Sequence, residues 1–183
     1  MRSDAASNRQ RVLIAGARLF SEQGVEATLN DVAHSAGVGV ATVYRNFPNR
    51  DALLDSLFQL KLEQLVELAD RATDIEDAST AFDTYLYSVM EVHATDRGVV
   101  PVLMRANQSA AFAEELAAQL GPRVQPLIES AQAAGSLRDG FTIQDLCLLS
   151  AMVGSVADLT RDTQPMLWER YAQMLVDSTR PPS

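Results

Sequence analysis

The sequence predicts an all-α fold, and three observations carry that prediction. Apolar residues recur at three- and four-residue intervals along nearly the whole chain, the spacing that lines one face of a helix. The strict alternation that marks strands is rare. Several of the periodic runs are preceded by a Thr or Asn placed to cap the first turn. The chain of 183 residues has no internal repeat or low-complexity run, and it is long enough to bury a core without disulfide or metal support. About nine helices are expected.

The first helix is expected from about Asn8 to Gln23, with Val12, Leu13, Gly16, Leu19 and Phe20 on one broad face and Gly24 as its stop. Gly16 on that face costs about 1 kcal/mol relative to alanine, which implies close packing against another helix. Thr28, followed three residues later by Asp31, forms a capping-box pattern and opens a short helix to Ala36. Gly37 turns the chain and Val38 enters the core. A second short helix, headed by Gly39, runs from Val40 to about Asn46, where Phe47 and Pro48 end it. Asn49 caps a much longer helix carrying Leu53, Leu54, Leu57, Phe58, Leu62 and Leu65, which stops at an acidic, cap-rich break over 74–79. Further helices are expected at 79–95, 98–107, 109–134 with a kink at Gly121 and Pro122, 142–161 and 165–179. Thr142 with Asp145 repeats the capping box, and Pro165 suits the first turn of the last helix.

Composition narrows the functional classes. The single Cys147, among Leu146, Leu148 and Leu149, cannot form an internal disulfide and is expected as a small buried residue. No stretch reads as long and apolar enough to span a bilayer, and the N-terminus lacks a signal-peptide core, so a cytoplasmic location is expected. No metal or other cofactor is implied. A small helical enzyme is disfavoured, because there is no HExxH, no paired cysteine and no glycine-rich phosphate loop, and His34 and His93 are far apart. The net charge of −9 argues at first against a nucleic-acid partner. Its distribution reverses the argument: residues 1–50 hold six arginines against four acids, while the remainder holds nine Lys or Arg against twenty acids. A mildly basic head on an acidic body approaches phosphates in one orientation.

Two short helices joined by a glycine turn, after an amphipathic helix and in the basic head, are what a helix-turn-helix needs to enter a major groove. With Val43 and Phe47 inward, the 100° step per residue sends Ala41, Thr42 and Arg45 outward and leaves Tyr44 on the flank. Ala41 can meet a thymine methyl, Thr42 a base or phosphate, and Arg45 can pair bidentately with guanine. Tyr44 and Arg50 are placed to bind phosphates and hold register.

These residues also carry a resemblance. The string from Thr28 to Leu54, TLNDVAHSAGVGVATVYRNFPNRDALL, resembles the TetR-family signature of Thr, Ile-Ala, Ala-Gly-Val-Ser, Thr-Leu-Tyr, Phe and Lys-Glu-Ala-Leu, and VLIAGARLFSEQG is similar to that family's first helix. The resemblance implies a helix-turn-helix DNA-binding domain at 7–66, with its element at 28–47, and a ligand-binding and dimerisation domain at 67–183. It implies DNA contacts at Thr28, Thr42, Tyr44 and Arg50, the last replacing a more usual lysine. Asn30, Gly39 and Asn46 join the candidate interface as matching positions. Gly39 stands where serine is common and loses a side-chain cap, Val40 follows where polar residues are frequent, and Asn46 replaces a histidine.

The implied function is a transcriptional regulator, in the commonest case a repressor, that binds a palindromic operator as a homodimer and is released by a small-molecule effector. One helix-turn-helix makes few phosphate contacts, so the chain must pair. The last two helices are the candidates, through Leu146, Leu149, Val153, Gly154, Ala157, Trp168, Tyr171 and Leu175; the alternative is that these residues close the chain's own core. For the effector, Tyr87, Met90, Met104 and Phe112 are candidate lining, with His93, Arg105, Asn107 and Gln108 as polar groups. The rival from another class is a helical protein-binding adaptor with a vestigial head, which would show no salt-dependent DNA binding.

Overall fold

The computed structural model describes residues 2–23, 27–96 and 109–181. Within them are eight helices and no strand: α1 (Arg2–Gln23), α2 (Leu29–Ala36), α3 (Val40–Asn46), α4 (Arg50–Thr73), α5 (Ala78–Thr95), α6 (Ala110–Ala133), α7 (Ile143–Thr160) and α8 (Leu167–Ser178). The helix expected at 98–107 lies outside the described residues. Helix α1 begins about a turn and a half before Asn8, because nothing between Arg2 and Asn8 is a glycine or proline and Ala5 and Ala6 favour the helix. Helix α6 runs through Pro122 and Pro126 without interruption. Pro165 lies two residues ahead of α8 rather than in its first turn.

The expected caps are present. Thr28 and Asp31 form the reciprocal capping box of α2, and Thr142 and Asp145 that of α7. The Asn49 carboxamide oxygen accepts from the Ala52 N–H at 2.8 Å and opens α4. Asp77 caps α5 by accepting from the Thr80 hydroxyl at 2.6 Å and the Thr80 N–H at 2.8 Å, and these two bonds, the hydroxyl's foremost, hold its carboxyl below the usual carboxylate range.

The described chain divides into two compact units, the boundary falling between Lys61 and Leu62 within α4. In the first, α1, α2, α3 and the start of α4 close over Val12, Leu13, Phe20, Val32, Val43, Phe47, Leu53 and Leu57, all at most 3% exposed. Burying one such side chain contributes about 1.5–3 kcal/mol. Gly16 sits where α1 approaches α4: a Cβ there would lie 3.1 Å from Leu53 Cδ2, which accounts for glycine on an apolar face. Val38 is half-buried rather than in the core.

In the second unit α5 is central and packs on α6, α7 and α8. Phe82 meets Phe141 edge-on at 5.4 Å, and Tyr87 lies against Trp168 at 5.9 Å between ring centres. Arg180 ties the C-terminal segment to this unit through Asp83, Ser79 Oγ and the Ser136 carbonyl.

This packing corrects several expectations for the body. Leu146, Val153, Gly154, Ala157 and Trp168 were expected on a dimer surface, but all are buried within the chain itself. At Gly154 the reason is explicit, since a Cβ would lie 3.1 Å from the His93 carbonyl oxygen on α5. Leu149 and Leu175 are half-buried, and Tyr171 is exposed. The exposed large apolar residues of α7 and α8 are Leu148, Met152, Leu159, Tyr171 and Met174, with Met166 just before α8. Cys147 is exposed with them rather than buried. By length and composition α7 could cross a membrane, with mean hydropathy 1.3 over 18 residues, contrary to the expectation of no such stretch. Its acids, Asp145 and Asp158, stand near its ends and leave an apolar middle.

Among the effector candidates, Met90 is fully buried and His93 is 7% exposed, while Tyr87 and Phe112 are half-buried. Met104, Arg105, Asn107 and Gln108 lie outside the described residues. Burial pushes the His93 imidazole down to about 4, against a smaller opposing effect of the Ser150 backbone. A cleft of about 440 Å³ is bordered by Arg138, Phe141, Leu148, Leu149 and Met152, and another of about 670 Å³ by Gln132, Leu137, Arg138 and Arg180. Neither is lined by Tyr87, Met90, His93 or Phe112. Met90 and His93 serve the core where α5 meets its neighbours.

Candidate nucleic-acid interface

The candidate interface is built from the turn between α2 and α3. Gly37 adopts the left-handed conformation, with φ of 62°, and its N–H donates to the His34 carbonyl at 3.1 Å. Val38 N–H reaches the Ala33 carbonyl at 3.1 Å, so the chain reverses within three residues. Helix α3 then starts at Gly39 in an extended conformation with no side-chain bond to its first turn. Val43 and Phe47, 0% and 1% exposed, anchor one side of α3 in the core. That fixes its opposite face: Ala41, Arg45 and Asn46 are exposed, Tyr44 is 46% exposed, and Thr42 is half-buried. Arg45 makes no hydrogen bond or ion pair with a described residue.

Several of the candidate side chains are already engaged. The Thr28 hydroxyl donates to Asp31 Oδ2 at 2.6 Å and accepts from the Asp31 N–H at 3.2 Å. The hydroxyl's bond, with a second from the Thr28 N–H to Asp31 Oδ2 at 3.0 Å, holds the Asp31 carboxyl below its usual range. A phosphate at Thr28 therefore competes with Asp31 for the hydroxyl proton. Asn46 Nδ2 donates to the Thr42 carbonyl at 2.8 Å, so its amide serves the last turn of its own helix. Arg50 does not extend freely past the helix start; its guanidinium lies 4.9 Å over the Phe20 ring. Asn30 and Gly39 are exposed.

Sequence reasoning counted Arg9, Arg11 and Arg18 only as charge. The structure gives each a partner in the first unit. Arg9 lies 5.3 Å over the Phe47 ring and donates to Ser56 Oγ at 3.3 Å. Arg18 donates to Ser35 Oγ at 2.7 Å. Arg11 donates to the Ala36 carbonyl from Nη2 at 2.6 Å and from Nε at 3.1 Å, and to the Gly37 carbonyl at 2.7 Å. The available signal was spacing: Arg11 and Arg18 are seven residues apart, two helical turns, and so share a face of α1.

An exposed helix face that carries an arginine, a threonine and a small residue can enter a DNA major groove and contact base edges. Among the described residues no group of three or more His, Cys, Asp or Glu is arranged to hold a metal ion.

Comparison with known proteins bears on both units. Residues 12–57 match the family model described as bacterial regulatory proteins, tetR family, and residues 77–180 match the model of the C-terminal domain of SbtR-like transcriptional regulators. A helix-turn-helix-type transcriptional regulator of Staphylococcus aureus strain USA300 is 39% identical over 64 residues, which are 34% of this chain and 35% of that relative. The match thus spans about a third of the curated relative's length. Solved structures extend the likeness to the whole chain. A TetR-family regulator of Marinobacter aquaeolei superposes with TM-score 0.74 at 14% identity, covering 97% of this chain and 98% of that one. A TetR regulatory protein of Mycobacterium vanbaalenii gives 0.62 at 26% identity, covering 98% of each chain. One of Streptomyces coelicolor gives 0.64 at 24%, covering 96% and 99%.

Proposed function

Because the chain belongs to the TetR family of bacterial transcriptional regulators, we propose that it is a sequence-specific repressor that holds a palindromic operator as a homodimer and leaves it when a small-molecule effector binds. Regulators of this family bind DNA, respond to ligands and are not enzymes. The observation that carries the reading is the outward face of α3, where Arg45 stands exposed, with no partner among the described residues, between buried Val43 and Phe47.

In this reading 28–47 is the helix-turn-helix element of a DNA-binding domain at 7–66, and 67–183 is the effector-binding and dimerisation domain. Arg45 reads a base, preferably guanine through O6 and N7, and Ala41 and Thr42 meet neighbouring edges. Tyr44 and Arg50 bind phosphates, with Arg50 leaving or sharing the Phe20 ring. Dimerisation uses the apolar residues that α7 and α8 leave exposed, among them Leu148, Met152, Leu159, Tyr171 and Met174. Contacts of this kind across two helices from each chain form a four-helix interface. Helix α4 carries residues of both units without a break, so it is the natural route by which effector binding alters the spacing of two heads. A regulator of this kind works in the cytoplasm, where the DNA is.

The test is selection of duplexes from a random pool by the purified protein, with the mass of the complex measured in parallel. Enrichment of a palindrome bound by two chains supports the proposal. A folded dimer that enriches no sequence refutes DNA reading and leaves the protein-binding adaptor.

A further inference from the structure

We infer that Arg11 is a positioning residue for DNA reading: it sets the direction of α3 by holding the α2–α3 turn from outside the helix-turn-helix, and it touches no DNA itself. The inference rests on the assignment of α3 as the reading helix.

The geometry singles out this arginine. The last carbonyls of a helix lack partners inside it, and the angle at which the chain leaves depends on what satisfies them. At the end of α2, the Ala36 carbonyl receives Arg11 Nη2 and Nε, and the Gly37 carbonyl receives Nη2. Arg11 Nη1 donates to Asn8 Oδ1 at 3.3 Å, which fixes the guanidinium from its own helix. A Cβ at Gly37 would lie 3.1 Å from Arg11 Nη2, so the guanidinium lies directly on the turn. A cation at a helix C-terminus also opposes the partial negative charge of the aligned peptide dipoles.

Helix α3 needs such support. It has seven residues, its N-cap is Gly39 with no side-chain bond, and within the helix only Val43 is buried. Two arginines from α1 therefore act at its two ends. Arg11 fixes the turn that precedes it, and Arg9 lies over Phe47, which ends it. Arg45 lies between these fixed points, so a change in the turn redirects its side chain relative to a base.

The planar guanidinium separates this role from phosphate binding. Lysine keeps the charge but presents one compact ammonium and cannot reproduce the fork that spans two carbonyls. The experiment compares wild type, Arg11→Lys and Arg11→Gln on the duplex selected by the wild type and on a scrambled duplex, at several salt concentrations. Circular dichroism and thermal melting report the folded fraction of each variant.

The account predicts that both variants, corrected for folded fraction, lose about tenfold or more in the ratio of specific to non-specific affinity, the scale of one lost base contact. It also predicts an unchanged salt slope. A phosphate contact would instead show as a slope smaller by about 0.9 in Arg11→Gln, restored in Arg11→Lys. That result overturns the proposal, as does an unchanged specificity ratio in both variants. Failure of the wild type to select any sequence refutes the reading helix itself and is a separate outcome.

Discussion

Gly154 and His93 mark a close helix contact in the second unit: a Cβ on Gly154 would stand 3.1 Å from the His93 carbonyl oxygen and 3.3 Å from its Cβ. The obstructing atoms are backbone and the root of a side chain, so they cannot move without shifting α5. Gly154→Ala gains about 1 kcal/mol of helix propensity but must open this contact, and overpacking costs about 1–3 kcal/mol. The expected net effect is destabilisation by up to about 2 kcal/mol, read from the urea midpoint. Gly16→Ala is the control. The three atoms nearest its Cβ are Leu53 side-chain carbons, at 3.1 to 3.5 Å, which can turn aside. It should stay within about 1 kcal/mol of wild type.

His93 predicts how stability responds to acid. Its folded value is depressed to about 4 by burial, below the ordinary 6.5, so the unfolded chain binds the extra proton between those limits. The stabilising effect of burying the neutral ring is therefore complete above pH 6.5 and is lost as pH falls towards 4. Between pH 7 and pH 5 the loss is about 2 kcal/mol. His93→Gln should flatten the urea midpoint over that range, whatever it does to the midpoint at pH 7. An equally steep decline in the variant would place the sensitivity elsewhere.

The first unit was more legible in the sequence than the second, and the reason is local chemistry. Thr28 with Asp31, Gly37, Asn49 and the Val43–Phe47 spacing specify their own conformations through bonds between near neighbours, and each is found as those bonds require. Periodicity also located the body helices, but it does not say which neighbour covers a face. Helix α7 is apolar on more than one side, so Leu146, Val153 and Ala157 could be assigned to a partner chain as easily as to α5. Only the close approach at Gly154 decides that they face inward. Spacing places Arg11 on a face of α1 with Arg18, but its role was not legible because its partners are carbonyls 25 and 26 positions away.

A charge on the outer face of α7 should separate pairing from folding. Leu159 is 85% exposed and Leu146 is 3% exposed. Leu159→Asp is expected to leave the helical content and urea midpoint of the chain nearly unchanged while shifting sedimentation towards one chain and weakening operator binding. Leu146→Asp should unfold the chain, since burying an unpaired carboxylate costs several kcal/mol. A Leu159→Asp protein that still sediments as a dimer would move the interface away from this face.

Gly39 offers a gain of function. Its φ of −65° and ψ of 140° suit an N-cap, and among the described residues a Cβ there would meet only Thr42 Oγ1, at 3.8 Å. Gly39→Ser can accept from the N–H groups at the start of α3 and should add a few tenths of a kcal/mol to stability. The same hydroxyl supplies a phosphate donor, so non-specific affinity is expected to rise modestly. Calorimetric melting and titration of a scrambled duplex check the two effects.

The most direct test of the central claim is titration of the selected duplex, and of variants changed at one base pair at a time, with wild type and Arg45→Ala. The account predicts that Arg45→Ala loses about 1–3 kcal/mol on the intact site and no longer discriminates at one symmetric pair of guanines, with discrimination elsewhere preserved. An Arg45→Ala protein that keeps the full base preference of the wild type would contradict the assignment of α3 as the element that reads DNA.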